Sequence, residues 1–177
     1  MVPAYSLGAM LTVYFDLVEH TKKYKGDLHG FFLSMSAWRT FKTRYKLTWQ
    51  RERFAEANHG KIPQERGIYA FTVELSPSKL PPHGYILYVG ITGDTSAATL
   101  RSRFAQYVGH LKKKDGRPAV LYMLDNWSGD LFFNFVPMPN KNVDLAKLEK
   151  AVINAIMPPV NKRDFEADIA APKAAAF

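Results

Sequence analysis

GIYAFTVELSPSKLPPHGYILYVG, residues 67–90, is the stretch on which the reading of this chain turns. Two runs rich in β-branched and aromatic residues, 67–75 and 84–91, flank a centre in which Pro77, Pro81 and Pro82 cannot continue a ladder, so the segment reads as a β-hairpin. A symmetric turn pairs Gly67 with Gly90, Ile68 with Val89 and Tyr69 with Tyr88. Directly opposed residues of an antiparallel pair share a face, with Cβ atoms roughly 5 Å apart. The two phenols are therefore expected side by side at the open mouth of the hairpin, where the flanking glycines leave room for a ligand. A pair of tyrosines on a sheet is equally at home as plain packing, and the decision falls to the elements that follow.

The segment TSAATLRSRFAQYVGHL, residues 95–111, opens with Thr95 or Ser96 as a helix cap. It then sets Leu100, Phe104, Val108 and Leu111 on one apolar stripe, with Arg103 and Tyr107, four apart, together on its flank. A second helix is expected in NVDLAKLEKAVINAIM, residues 142–157, capped by Asn142 and buried through Leu145, Leu148, Val152, Ile153 and Ile156. Glu149 falls inside that stripe, whereas Lys147, Lys150 and Asn154 fall outside it. An interior carboxylate needs a cation, a hydrogen-bond cluster or a metal, because an unpaired buried ion costs several kcal/mol. Asn161, at the end of PPVN, is placed to fold back as a polar brace.

These residues, taken in order, resemble the GIY-YIG nuclease family. The resemblance rests on GIY at 67–69, YVG at 88–90, Arg103 and Tyr107 in RFAQY, Glu149 in LEKAVINAI, and Asn161 in PPVN, and it spans about residues 67–163. It implies an α+β module, a small antiparallel sheet of three or more strands flanked by helices, that hydrolyses phosphodiester bonds as a metal-dependent endonuclease. On that likeness Glu149 holds one Mg2+ or Mn2+, Arg103 contacts the scissile phosphate, and Tyr69 and Tyr88 organise or deprotonate the attacking water. Tyr107 stands where the family has tyrosine or histidine, and Asn161 matches its late asparagine. The expected catalytic set is thus Tyr69, Tyr88, Arg103, Tyr107, Glu149 and Asn161. A hard cation and a guanidinium fork suit the charge that spreads over the oxygens of a phosphodiester transition state. The connection between the two triplets is longer than is usual in the family, and Ile91 and Thr92 stand where some relatives carry a lysine.

The chain as a whole sets outer bounds. With 177 residues, 47% of them apolar, it can bury a core of its own, and three regions are expected: a helical extension over 1–60, the nuclease-like domain over 61–163 and a tail over 164–177. No cysteine is present, which excludes disulfides, thiolate metal sites and cysteine nucleophiles. The absence of an apolar leader or a membrane-length run gives the expectation of a soluble, cytoplasmic protein, either a monomer or a homodimer.

A formal net charge of +8 points to a polyanion as partner, DNA first and RNA as an alternative. Lys112, Lys113, Lys114, Arg117 and Arg101 lie close in sequence to the expected site and are candidate phosphate contacts. Trp127 is a candidate for stacking on a base. In residues 31–53, Phe31, Met35, Trp38, Phe41, Tyr45 and Trp49 recur at helical spacing, so a docked helix is expected, with Arg39, Lys42 and Lys46 on basic flanks toward DNA. The five histidines show no metal-binding spacing and read as structural or exposed. The competing reading is a catalytically silent nucleic-acid-binding or protein-interaction module with the same fold.

Overall fold

The computed structural model describes residues 18–19, 21–22, 30–74, 81 and 83–161. The expected hairpin turn, apart from Pro81 and His83, lies outside the described residues, as do the tail, His20 and His29. The chain forms two compact units, Met1–Gly30 and Phe31–Phe177. In the first, Val18, Glu19, Thr21 and Lys22 have helical backbone. The second contains the sheet and begins well before the boundary expected near residue 60.

Four strands, β1 (Gln50–Arg53), β2 (Gly67–Glu74), β3 (Gly84–Thr92) and β4 (Leu131–Pro137), make one antiparallel sheet in the order β1-β4-β2-β3. The described helices are α1 (Met35–Thr40), α2 (Leu100–Lys113), α3 (Pro118–Trp127) and α4 (Leu145–Ile156), with a 3-10 helix at Glu56–Lys61. The expected α+β architecture is present.

β2 and β3 form the hairpin, but two residues away from the symmetric register: Gly67 faces Thr92, Tyr69 faces Gly90 and Phe71 faces Tyr88. A shift of two preserves which side chains share a face, whereas a shift of one would have inverted them. The physical reason lies at Gly90, where a Cβ would stand 2.5 Å from the Tyr69 hydroxyl oxygen. The tyrosine ring lies across the glycine, so the room expected for a ligand holds Tyr69 itself. At Gly67 the space is likewise taken, by the Val136 carbonyl at 2.2 Å from an added Cβ. Beyond Phe71 the register slips, Thr72 facing Ile86, which leaves Leu87 as a bulge residue and turns Leu87 and Tyr88 into the same core.

The long helix expected over 31–53 contracts to the six residues of α1, capped by Ser34, whose hydroxyl accepts the Ala37 N–H at 3.1 Å. From Phe41 to Leu47 burial alternates residue by residue, and β1 follows as a fourth strand on β4. Phe41, Tyr45 and Trp49 fit a helical spacing, but Thr43 and Leu47 fall between them, and the half-buried positions from 41 to 47 recur every two residues instead. Two expected caps also move: α2 is capped by Thr99 in a reciprocal pair with Ser102, and α4 by Asp144. The α3 helix, with Pro118 in its first turn, was not among the expected elements.

The sheet is covered on both faces. On one, Tyr69, Phe71, Phe133 and Phe135 pack with Leu100, Phe104 and Tyr107 of α2 and Val120, Met123 and Leu124 of α3. On the other, Ile68, Ala70, Val89 and Val136 pack with Leu145, Leu148, Val152 and Ile153 of α4. The first core is largely aromatic, with Phe54, Phe71, Phe104 and Phe133 meeting edge to face at 5.2–5.3 Å. Such pairs add about 0.5–1.5 kcal/mol each beyond the area they bury. Among the described residues no helix is long and apolar enough to cross a membrane.

Candidate active site

Pleat and helix pitch bring three of the expected residues together. Tyr69 and Tyr88 project from adjacent strands onto the face covered by α2, and Tyr107 comes down from that helix one turn beyond Arg103. Their ring centres are 6.2 Å (Tyr69–Tyr88), 6.0 Å (Tyr69–Tyr107) and 6.4 Å (Tyr88–Tyr107) apart. The Tyr69 and Tyr107 hydroxyls share a hydrogen bond at 2.9 Å. The phenols do not open at a hairpin mouth as expected: Tyr69, Tyr88 and Tyr107 are 2%, 6% and 5% exposed. Burial pushes the Tyr69 and Tyr107 phenols well above the usual range; Tyr107 and Tyr88 push Tyr69 the same way, Tyr88 raises Tyr107 while the Tyr69 hydrogen bond lowers it, and the Arg103 charge pulls each back.

Two guanidinium groups border the phenols. Arg103 donates from Nη1 to Gln106 Oε1 at 2.7 Å, while its Nε is buried without a hydrogen-bond partner. Arg117, expected only as a phosphate contact on the surface, donates from Nη2 to the Tyr88 hydroxyl oxygen at 2.7 Å, its Cζ 5.5 Å from that ring's centre. The turn that delivers it runs Lys114–Asp115–Gly116, with positive φ at Lys114 (55°) and Gly116 (118°). The same turn sets Asp115 Oδ1 2.6 Å from His110 Nδ1. His110 lies three residues beyond Tyr107, their rings 6.3 Å apart. The histidine was read as merely structural or exposed because its carboxylate partner is brought to it by a left-handed turn, which spacing does not reveal.

The remaining expected residues are placed elsewhere. Glu149 is half-buried on α4, whose apolar stripe covers the face of the sheet opposite the tyrosines. Among the described residues no three carboxylates or imidazoles gather where they could hold a metal ion. Mg2+ does not require such a cluster, since it accepts a single carboxylate when water completes its shell, and Glu149 is the expected residue that offers one. Asn161, 1% exposed, accepts the Val89 N–H and donates to the Val89 carbonyl, both at 2.9 Å, which makes it the brace of the edge strand β3. Arg101 donates to the Ile62 and Gly60 carbonyls and ties α2 to the 3-10 helix. Lys112 pairs with Glu56 at 2.6 Å and Lys114 with Asp125, while Lys113, Arg39, Lys42 and Lys46 are exposed. Trp127 is half-buried and meets Tyr122 edge to face at 5.8 Å.

A cleft of about 740 Å³ lies at the sheet end where β2 begins, lined by Arg66, Asp94, Ser96, Thr99 and Lys141 among others. The three tyrosines do not line it. Arg66 closes its floor by donating to the Gly93, Asn140 and Val143 carbonyls and pairing with Asp94 at 3.0 Å. Compared with family models, curated proteins and solved structures, the chain matches none.

Proposed function

We propose that the chain is a phosphodiesterase acting on nucleic acid, an endonuclease of the GIY-YIG type with DNA as its substrate. The observation that carries this reading is the Arg103 guanidinium, held on the flank of the tyrosine cluster with a buried Nε that has no hydrogen-bond partner. A buried charged donor is costly to leave unmatched, and a phosphate oxygen is the acceptor that a guanidinium fork fits. Arg117 supplies a second cation beside Tyr88, so two guanidinium groups flank one set of phenols. In this scheme Tyr69 and Tyr107, kept protonated by burial, act as donors and supports rather than as bases. Tyr88, between the Arg117 N–H and the other two rings, is the phenol assigned to orient the phosphate. Glu149, on the helix against the opposite face of the sheet, is the carboxylate offered for Mg2+ or Mn2+, and the Glu149→Ala arm below tests whether a metal held there serves the phosphate at Arg103.

The silent-module reading is favoured by one observation of its own, the low exposure of all three phenols. The two readings part in a cleavage assay on supercoiled plasmid, single-stranded and branched DNA, and RNA, with Mg2+, Mn2+ or EDTA. Wild type is expected to cut DNA only with metal, and Arg103→Ala and Glu149→Ala to lose about 100-fold or more in rate, the scale at which lost transition-state charge stabilisation is felt. Equal products from wild type and both variants would reject the enzyme reading in favour of the silent module.

A further inference from the structure

The turn after α2 makes two contacts at once, and only one of them concerns phosphate binding. Its Lys114 and Gly116 adopt positive φ, and Gly116 lies so close to the imidazole that an added Cβ would stand 3.2 Å from His110 Nδ1. The chain is thereby pressed against the ring, with Asp115 Oδ1 at 2.6 Å from Nδ1, and two residues later Arg117 reaches Tyr88. A carboxylate on Nδ1 fixes the ring and leaves Nε2 as the working end, one of the arrangements by which a histidine is set to move protons. The His110 side chain is 27% exposed, unlike the neighbouring Tyr69 and Tyr107, so it can exchange protons with solvent.

We propose that His110, oriented by Asp115, is the general acid of the phosphodiester cleavage; this rests on the nuclease reading above. Water oxygen forms the new bond to phosphorus and releases its proton to solvent. As the old P–O bond breaks, its electron pair goes to the departing oxygen, which takes the Nε2 proton of His110. Solvent then returns a proton to the imidazole. His110 touches the leaving group and Asp115 is a positioning residue. The titratable groups beside the imidazole are the Asp115 carboxylate from the turn and the neutral Tyr107 phenol on its own helix.

The test compares two substrates under the same metal conditions: supercoiled plasmid, whose alkoxide leaving group needs a proton, and thymidine 5′-(p-nitrophenyl) phosphate, whose leaving group does not. His110→Gln is expected to cut plasmid about 100-fold more slowly, with a loss on the nitrophenyl ester at least about 30-fold smaller, as an unprotonated nitrophenolate departs unaided. Asp115→Asn, on the exposed turn, should repeat the pattern at about 10-fold and covers the case in which His110→Gln does not fold. Equal losses on both substrates, or none, overturn the general acid while leaving the nuclease reading intact. A wild type that cuts neither substrate overturns both. A metal-free readout separates them further: the His110 Hε1 resonance should move on adding thymidine 3′,5′-bisphosphate, and a resonance that stays in place rejects contact with the phosphate region.

Discussion

Gly90 shows how one missing side chain organises the candidate site. The residue matters through the volume it leaves, because the Tyr69 ring occupies the place of its Cβ, with Tyr69 ring carbon Cζ 2.7 Å and the hydroxyl oxygen 2.5 Å away. Placing Tyr69 there lets its hydroxyl meet Tyr107 on α2 and brings its ring 5.1 Å from Phe133 in a stacked geometry. Gly90→Ala is therefore expected to destabilise the fold by about 1–3 kcal/mol, the range for overpacking a tight core. Gly60→Ala, where an added Cβ meets nothing within 4 Å, serves as the control and should change stability little. Urea unfolding of the two variants measures the difference, and equal midpoints would show that Tyr69 is free to move off the glycine.

At the scale of elements, the hairpin was legible because both strands are rich in β-branched and aromatic residues and a proline-laden stretch separates them, and face assignment survived the error in register because the error was even. The register itself was not, since mirror-image triplets suggest pairing Tyr69 with Tyr88, whereas ring volume and the Leu87 bulge set it. The Arg103–Tyr107 spacing was readable as one helix turn; the Arg117 and His110 partners were not, because a turn with two positive-φ residues makes them. α3 escaped because PAVLYMLDNW is a nearly unbroken apolar run, which periodicity does not assign to helix or strand. Asn161 was legible as a brace, and its structural role is specific: its amide pairs with both backbone groups of Val89 while Val160 N–H donates to the Leu87 carbonyl at 3.0 Å, so the chain after α4 covers the outer edge of β3. Asn161→Leu strands a buried donor and acceptor together and should cost about 2–5 kcal/mol, read by thermal unfolding. Asn161→Asp, which keeps the acceptor only, should fall between, and a neutral Asn161→Leu would show that the edge is held by other contacts.

At the scale of the whole molecule the question is how a chain of net charge +8 presents that charge to a polyanion. Lys112 and Lys114 are engaged with Glu56 and Asp125, but all four side chains are more than half exposed. Exposed pairs of that kind are worth about 0–1 kcal/mol, so a phosphate competes with them at little cost. Lys113 stands exposed between them at the end of α2, one turn from the His110–Asp115 pair. Arg39, Lys42 and Lys46 are also exposed, on and after α1. If the α2 end guides the nucleic-acid backbone toward Arg117, reversing all three lysines 112–114 to glutamate removes up to three phosphate contacts. The slope of log affinity against log salt should then fall by about 2–3 for duplex DNA, since each contact contributes about 0.9. Replacing Arg39, Lys42 and Lys46 with alanine tests the second patch independently, because the two sets of side chains share no partners among the described residues. Fluorescence anisotropy with a labelled duplex between 50 and 200 mM salt, roughly the range over which counterion release dominates, measures both. An unchanged slope in the lysine variant would assign the backbone contacts away from the end of α2 and leave Arg103 and Arg117 without an approach path on that side.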